Sequence, residues 1–227
     1  VGSEMCIRAR PYFAQHVNEE RISLKDVHVF HMDEVLDWQG RPLPLSHPWS
    51  FQGWMEANFY APVDPELAVP QDQRHWPDPY HIDAISEALE AAGGADSVWG
   101  GIGYRGHIAY NEPPLNNAPW HHITNEEFRN SKTRILTLND DTIVALSQRG
   151  SGGCAEAVPP MAITMGMKDM LEAERMRFYS ETGSWKQTII RILLFGPVTS
   201  EYPVTFAQEN PDATVTVDEA TAACPPV

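Results

Sequence analysis

Short β-rich runs alternate with helical runs from one end of the chain to the other. That alternation constrains the fold more than any other feature, because it calls for a sheet joined by crossover helices. The β-rich runs lie at 27–32, 97–102, 134–138, 161–165, 176–180, 204–207 and 213–217. Helical runs lie at 6–19, 48–60, 82–92, 169–173 and 185–195, the last with Ser184 as cap and Gln187 placed to close a capping box. The pattern predicts an α/β fold, Rossmann-like and doubly wound, with a mostly parallel sheet. A length of 227 residues accommodates one such domain over 1–227. The Pro-rich stretch 62–79 reads as a surface connection and 150–153 as a loop. A doubly wound domain opens with strand, glycine loop and helix. Here residues 1–5 lead straight into a helix, so the expectation is a chain cut at its N-terminus and lacking the first strand.

Charge narrows the partners. Lys and Arg total 16 against 31 Asp and Glu, a net −15 at pH 7. Such a surface repels a phosphate backbone or an anionic bilayer, which excludes nucleic acid and membrane as expected partners. The most apolar run, 189–195, contains Arg191 and falls far short of the roughly 20 residues that span a bilayer. Cys6, Cys154 and Cys224 are odd in number and widely spaced, which predicts neither a disulfide framework nor a clustered zinc site and fits the cytoplasm.

Ligands of open α/β sheets bind beyond the carboxyl ends of the strands. After 27–32 come Asp33 and Glu34, either of which could act as a general base. After 97–102 come Gly101, Gly103 and Gly106, which let backbone approach a ligand, then His107, which exchanges protons near pH 7, and Glu112, which could orient it. Other features read as structural. His28 and His31 project to opposite faces of a strand and cannot share an ion, and His121-His122 reads as a solvated loop. Trp38, Trp49, Trp54 and Trp76 form either a sugar-stacking wall or the packing of a long connection. Met161, Met165, Met167, Met170 and Met176 read as core.

Gly106-His107-Ile108-Ala109-Tyr110-Asn111-Glu112-Pro113 closely resembles the signature of glucosamine-6-phosphate deaminases, and Phe30-His31-Met32-Asp33-Glu34 resembles that family's Phe-Asn-Met-Asp-Glu. Ser46-His47-Pro48, Thr133-Arg134-Ile135, Asp141-Thr142 and Gly183-Ser184 with Lys186 follow in family order. The resemblance implies an aldose–ketose isomerase and deaminase that converts glucosamine 6-phosphate to fructose 6-phosphate and ammonia. Its partner would be a small sugar phosphate, with no metal and no cofactor, in a monomer or a homo-oligomer. It casts Asp33 as the base between C1 and C2, His107 as the ring-opening group and Glu112 as the holder of its imidazole. Substrate binding would fall to Gly2, Ser3, Glu34, Gly101, Gly103, Arg105, Gly106, Arg149 and Lys186, under a lid at 139–158.

Three departures from the family pattern stand out. Arg105 replaces an aspartate, and its guanidinium would either favour neutral imidazole at His107 or bind a substrate anion. Gln148 occupies the place of the lid arginine, with Arg149 one position on, about 100° around a helix. Gly2-Ser3-Glu4-Met5 stands where a Thr-Gly-Ser-Thr-Pro type of phosphate loop is expected, and Glu4 would repel phosphate. Two other functions therefore stay open. One is a 6-phosphogluconolactonase-like hydrolase, which the Asn111-Glu112-Pro113 extension disfavours, and the other is a sugar-phosphate sensor without catalysis.

Overall fold

A computed structural model describes residues 4–115, 122–181 and 183–225, with side chains from Tyr12 onward. Gly2 and Ser3, the Glu4 side chain and His121 lie outside the described residues. The chain runs α1 (Glu4–Glu19), β1 (Val29–Phe30), β2 (Asp33–Leu36), α2 (Phe51–Met55, continued by a π-helical turn Glu56–Tyr60), β3 (Arg74–His75), α3 (Ala84–Ala91) and β4 (Ser97–Gly101). It continues through α4 (Asn125–Arg129), β5 (Arg134–Thr137), α5 (Asp140–Gly150), β6 (Met161–Thr164), α6 (Met167–Leu171) and β7 (Arg175–Ser180). A 3₁₀ turn (Gly183–Lys186) leads into α7 (Gln187–Phe195), and a 3₁₀ segment (Pro203–Glu209) precedes β8 (Ala213–Val217) and α8 (Glu219–Ala222).

The elements form where the hydrophobic period allows burial. Ile85 and Leu89, one turn apart, bury the inner face of α3, and Ile189, Ile190 and Leu193 bury that of α7. Along β7 the buried positions Met176, Phe178 and Ser180 alternate, as a pleated strand requires. These side chains meet Val98 of β4, Met167 and Met170 of α6, and Phe206 in the largest core cluster. Burial on this scale, at about 25 cal/mol per Å² of apolar surface, is what holds the layers together.

The fold class is α/β, and strands β4, β7 and β8 form a parallel sheet with Gly101 level with Tyr179. β1 and β3 pair in parallel as well. The expectation of a mostly parallel sheet needs correction at β2, β6 and β5, which pair antiparallel with β6 in the centre. Burial period marks a strand but carries no information on the direction of its neighbour. The run 204–207 is not a strand. Pro203 starts a 3₁₀ segment in which Val204, Thr205, Phe206 and Ala207 are all buried, and the Val204 N–H donates to Gly106 O at 2.6 Å. A short continuous apolar run fits a buried helix as well as a strand.

Local boundaries also shift. Only Val29–Phe30 of the run 27–32 is a strand, so Asp33 and Glu34 open β2 rather than follow a strand. The predicted capping box of the last long helix does not form. Ser184 lies in the 3₁₀ turn, Lys186 occupies the N-cap position without a side-chain cap, and Gln187 donates to Ala220 O at 2.8 Å instead. The connection 62–79 is not wholly irregular, since it contains β3. Of the tryptophans in that region, Trp49 packs on Leu146 and Val158, Trp76 stacks on His31 with centroids 3.4 Å apart, and Trp38 is exposed. Trp54 and Trp76 pack against one core cluster, Trp49 belongs to another and Trp38 packs in neither, so the four form no single wall. No helix among the described residues is long and apolar enough to cross a membrane.

Candidate active site

The carboxyl end of β4 runs into a tight loop whose shape is set by its glycines. The Gly103 N–H donates to His107 O at 2.8 Å and the Gly106 N–H donates to Gly103 O at 3.1 Å, closing a short turn. Gly106 takes φ +76°, a left-handed value that favours glycine. At Gly103 the constraint is contact: a Cβ there would lie 1.9 Å from the Cδ2 and Nε2 atoms of His107. The imidazole therefore lies directly on the glycine backbone. Two residues later Ala109 is also left-handed, at φ +52°, a strained choice for a residue with a Cβ. An Ile108–Asn111 bridge closes the reversal.

His107 is buried, and burial, aided by the nearby Lys186 ammonium, pushes its pKa down to about 3. It is a neutral imidazole at physiological pH, able to accept one proton or to donate the one it carries. The cation beside it is Lys186, not Arg105 as the sequence implied. Arg105 instead faces Asp141 in the first turn of α5, with Nε 3.5 Å from the carboxylate.

Asp33 enters the same region from β2. Its Cα is paired with Thr164 of β6, whose hydroxyl accepts the Tyr110 N–H at 3.1 Å. Tyr110 is buried in this region: burial first, then the charges of Asp33, Glu112 and Glu34, push its pKa well up. The Tyr110 ring also lies 6.2 Å from that of His107, centroid to centroid. Asp33, His107 and Glu112 are thus gathered around one tyrosine to which the sequence reading gave no role. Its only sequence signal was its place between His107 and Glu112.

The two remaining carboxylates serve helix starts. Glu34 accepts the N–H groups of Phe51 at 2.9 Å and Gln52 at 2.7 Å, the first turn of α2, where a negative charge complements the helix dipole. Glu112 accepts the Asn139 N–H at 2.7 Å, directly before α5. No hydrogen bond joins Glu112 to His107, so the predicted orienting pair is not formed. The left-handed Ala109 turns the chain between the two side chains. Burial pushes the Glu112 carboxyl up to about 7, opposed first by the Thr142 side chain, then by the Asn139 N–H and the Arg134 guanidinium, and its Oε1 has no hydrogen-bond partner.

Lys186 lies against the same loop. It is buried and its ammonium donates to the carbonyls of Ile102 and Gly103, so it holds the same turn that carries His107. Burial, then the neighbouring Arg149, pushes its pKa down to about 7. Arg149 reaches this place from the last turn of α5, with its guanidinium carbon 5.0 Å from the centroid of Trp185. Gly101 ends β4 and Gly103 lies in the loop after it, whereas Glu34 caps α2 and Arg105 faces Asp141. No group of three or more His, Cys, Asp and Glu among the described residues could hold a metal ion.

Known proteins show the same arrangement of sequence. The glucosamine-6-phosphate deaminase of Cronobacter sakazakii is 33% identical over 204 residues, 88% of this chain and 68% of that protein. The chain belongs to the glucosamine-6-phosphate deaminase family. Glucosamine-6-phosphate deaminase 1 of Bos taurus is 32% identical over 200 residues, which cover 87% of this chain but 63% of the bovine protein. The chain thus spans about two thirds of the length of the curated relatives it matches. No protein-family model matches it. Among solved structures, a monomeric glucosamine-6-phosphate deaminase superposes with a TM-score of 0.77 at 22% identity, covering 93% of this chain and 80% of that one. A 6-phosphogluconolactonase from Trypanosoma cruzi superposes with a TM-score of 0.61 at 14% identity, covering 95% and 77%. Both likenesses are of fold. Within this deaminase-family chain, the antiparallel strand β2 delivers Asp33 to the loop that carries His107.

Proposed function

We propose that the chain converts glucosamine 6-phosphate and water to fructose 6-phosphate and ammonia, as a cytoplasmic enzyme. What supports this reading is the grouping of Asp33 and a neutral His107 around Tyr110. In the proposed reaction His107 relays the proton that opens the pyranose ring. Asp33 then takes the C2 proton and returns it to C1, a transfer that requires one carboxylate within reach of both carbons. Water replaces nitrogen at C2 and ammonia leaves. Glu112, with a pKa of about 7, is poised to hold or release a proton near neutrality while it fixes the start of α5. Lys186 and Arg149 receive the phosphate, and Gly101, Gly103 and Gly106 let the backbone approach the sugar. Arg105, held by Asp141, contributes to binding from the rim of the site.

The deciding test is incubation of the purified chain with glucosamine 6-phosphate, measuring ammonia and ketose phosphate together. Equimolar release of both is expected. Hydrolysis of 6-phosphogluconolactone without ammonia release would assign the lactonase reading, and binding with neither product would assign a sensor.

Lys186 supplies a separate expectation. Lys186→Ala should weaken binding of a phosphorylated sugar far more than binding of its unphosphorylated analogue. The pH dependence has a definite sign. The free ammonium titrates near 7 and a bound anion raises that value, so only the protonated form binds well. Above pH 7 the Kd for a phosphate monoester should rise, by up to about tenfold per pH unit, until the pKa of the complex is reached. Titration at pH 7, 8 and 9 checks this. A flat profile, or one that Lys186→Ala leaves unchanged, removes Lys186 from the anion site.

A further inference from the structure

A single indole connects two segments that are far apart in sequence. Trp185 sits in the 3₁₀ turn before α7, half-buried, and that turn is pinned by the Gly183 N–H donating to the Thr221 hydroxyl at 2.8 Å. The Tyr104 ring packs against it at 5.4 Å, tilted by 46°. Over the same indole lie the Arg149 guanidinium carbon, 5.0 Å from the centroid, and the Lys186 ammonium, 5.5 Å from it. Both lie within the range in which the ring quadrupole attracts a cation. The end of α5 is fixed independently, because Gly150 lies against the Trp49 ring, where a Cβ would come within 2.6 Å.

Two cations brought near each other repel, and an exposed arginine on the last turn of a helix has many rotamers that carry it into water. A guanidinium over an indole is held against both tendencies, by an attraction that an aliphatic partner could not supply and that a compact, strongly hydrated ammonium supplies less well. From this geometry we infer that Trp185 is a positioning residue, which holds the Arg149 guanidinium beside Lys186 so that the two form one anion clamp. The inference rests on the proposed sugar-phosphate site and adds the device that organises it. It also accounts for how an arginine offset by one position from the family pattern serves the site: the indole sets where the guanidinium lies, in place of the helix angle.

The test is calorimetric titration with inorganic phosphate at pH 7, with thermal melting as a check on folding. Trp185→Leu should raise the Kd about three- to tenfold, and Trp185→Phe, which keeps an aromatic face, should recover most of the loss. In an Arg149→Ala background Trp185→Leu should have almost no further effect, because the two side chains act as one unit. Arg149→Lys, which keeps the charge and loses the plane, should resemble Trp185→Leu, and it carries the test if the leucine variant fails to fold. Equal losses from Trp185→Leu with and without Arg149, or wild-type affinity in Arg149→Lys, would overturn the inference. If Lys186→Ala binds phosphate as the wild type does, the anion site itself is misplaced, an outcome separable from failure of the clamp.

Discussion

Asp33→Asn should reduce proton exchange at C2 of the substrate by about 10²- to 10⁴-fold, the usual consequence of removing a positioned base, while the fold persists. The substitution is nearly isosteric, and the β2–β6 pairing of residue 33 with Thr164 is made by backbone. Binding of the phosphorylated sugar should be largely kept, because Lys186 and Arg149 come from elements other than β2 and neither depends on Asp33 for its place. The variant also removes one of the negative charges that disfavour ionisation of Tyr110, so the tyrosine should titrate lower. Exchange measured in deuterated water, with melting temperature as control, checks the expectation. Full exchange in a folded Asp33→Asn protein removes Asp33 from the mechanism.

Gly103→Ala should be nearly as damaging, by a different route. The added methyl group would fall 1.9 Å from His107, so the imidazole or the β4 loop must move. His107 is buried between that glycine and its neighbours, and the loop is tied to Lys186 through the Ile102 and Gly103 carbonyls. A displacement of about 1 Å in a reacting group costs about 10²-fold in rate, and overpacking of this kind costs about 1–3 kcal/mol of stability. The expected result is a loss of at least that size in kcat with a lowered melting temperature. A Gly103→Ala protein with unchanged kcat and melting temperature would show that the contact between residue 103 and the imidazole is unimportant.

Much of the site was legible because its chemistry is written in contiguous residues. Gly101 through Glu112 carries the glycines, the histidine and the carboxylate in one segment, and β4, β7 and β8 lie close to where their hydrophobic pattern placed them. What the sequence could not express is side-chain direction within a loop. The positive φ at Ala109 separates His107 from Glu112, sending one to Gly103 and Lys186 and the other to Asn139. Long-range partners were equally hidden. Arg105 finds Asp141, Glu34 caps α2, and Arg149 reaches the site through Trp185, each across a separation that no local period encodes. The antiparallel join of β2 to β6 escaped for the same reason, since both directions of pairing place the same residues on the buried face.

The deaminase reaction is tested most directly by a proton NMR time course of glucosamine 6-phosphate with the wild-type chain in deuterated water. Exchange of the C2 proton, appearance of fructose 6-phosphate and release of ammonia are expected, all lost in Asp33→Asn. A substrate that binds and keeps its C2 proton, with no ketose formed, would contradict the proposed reaction.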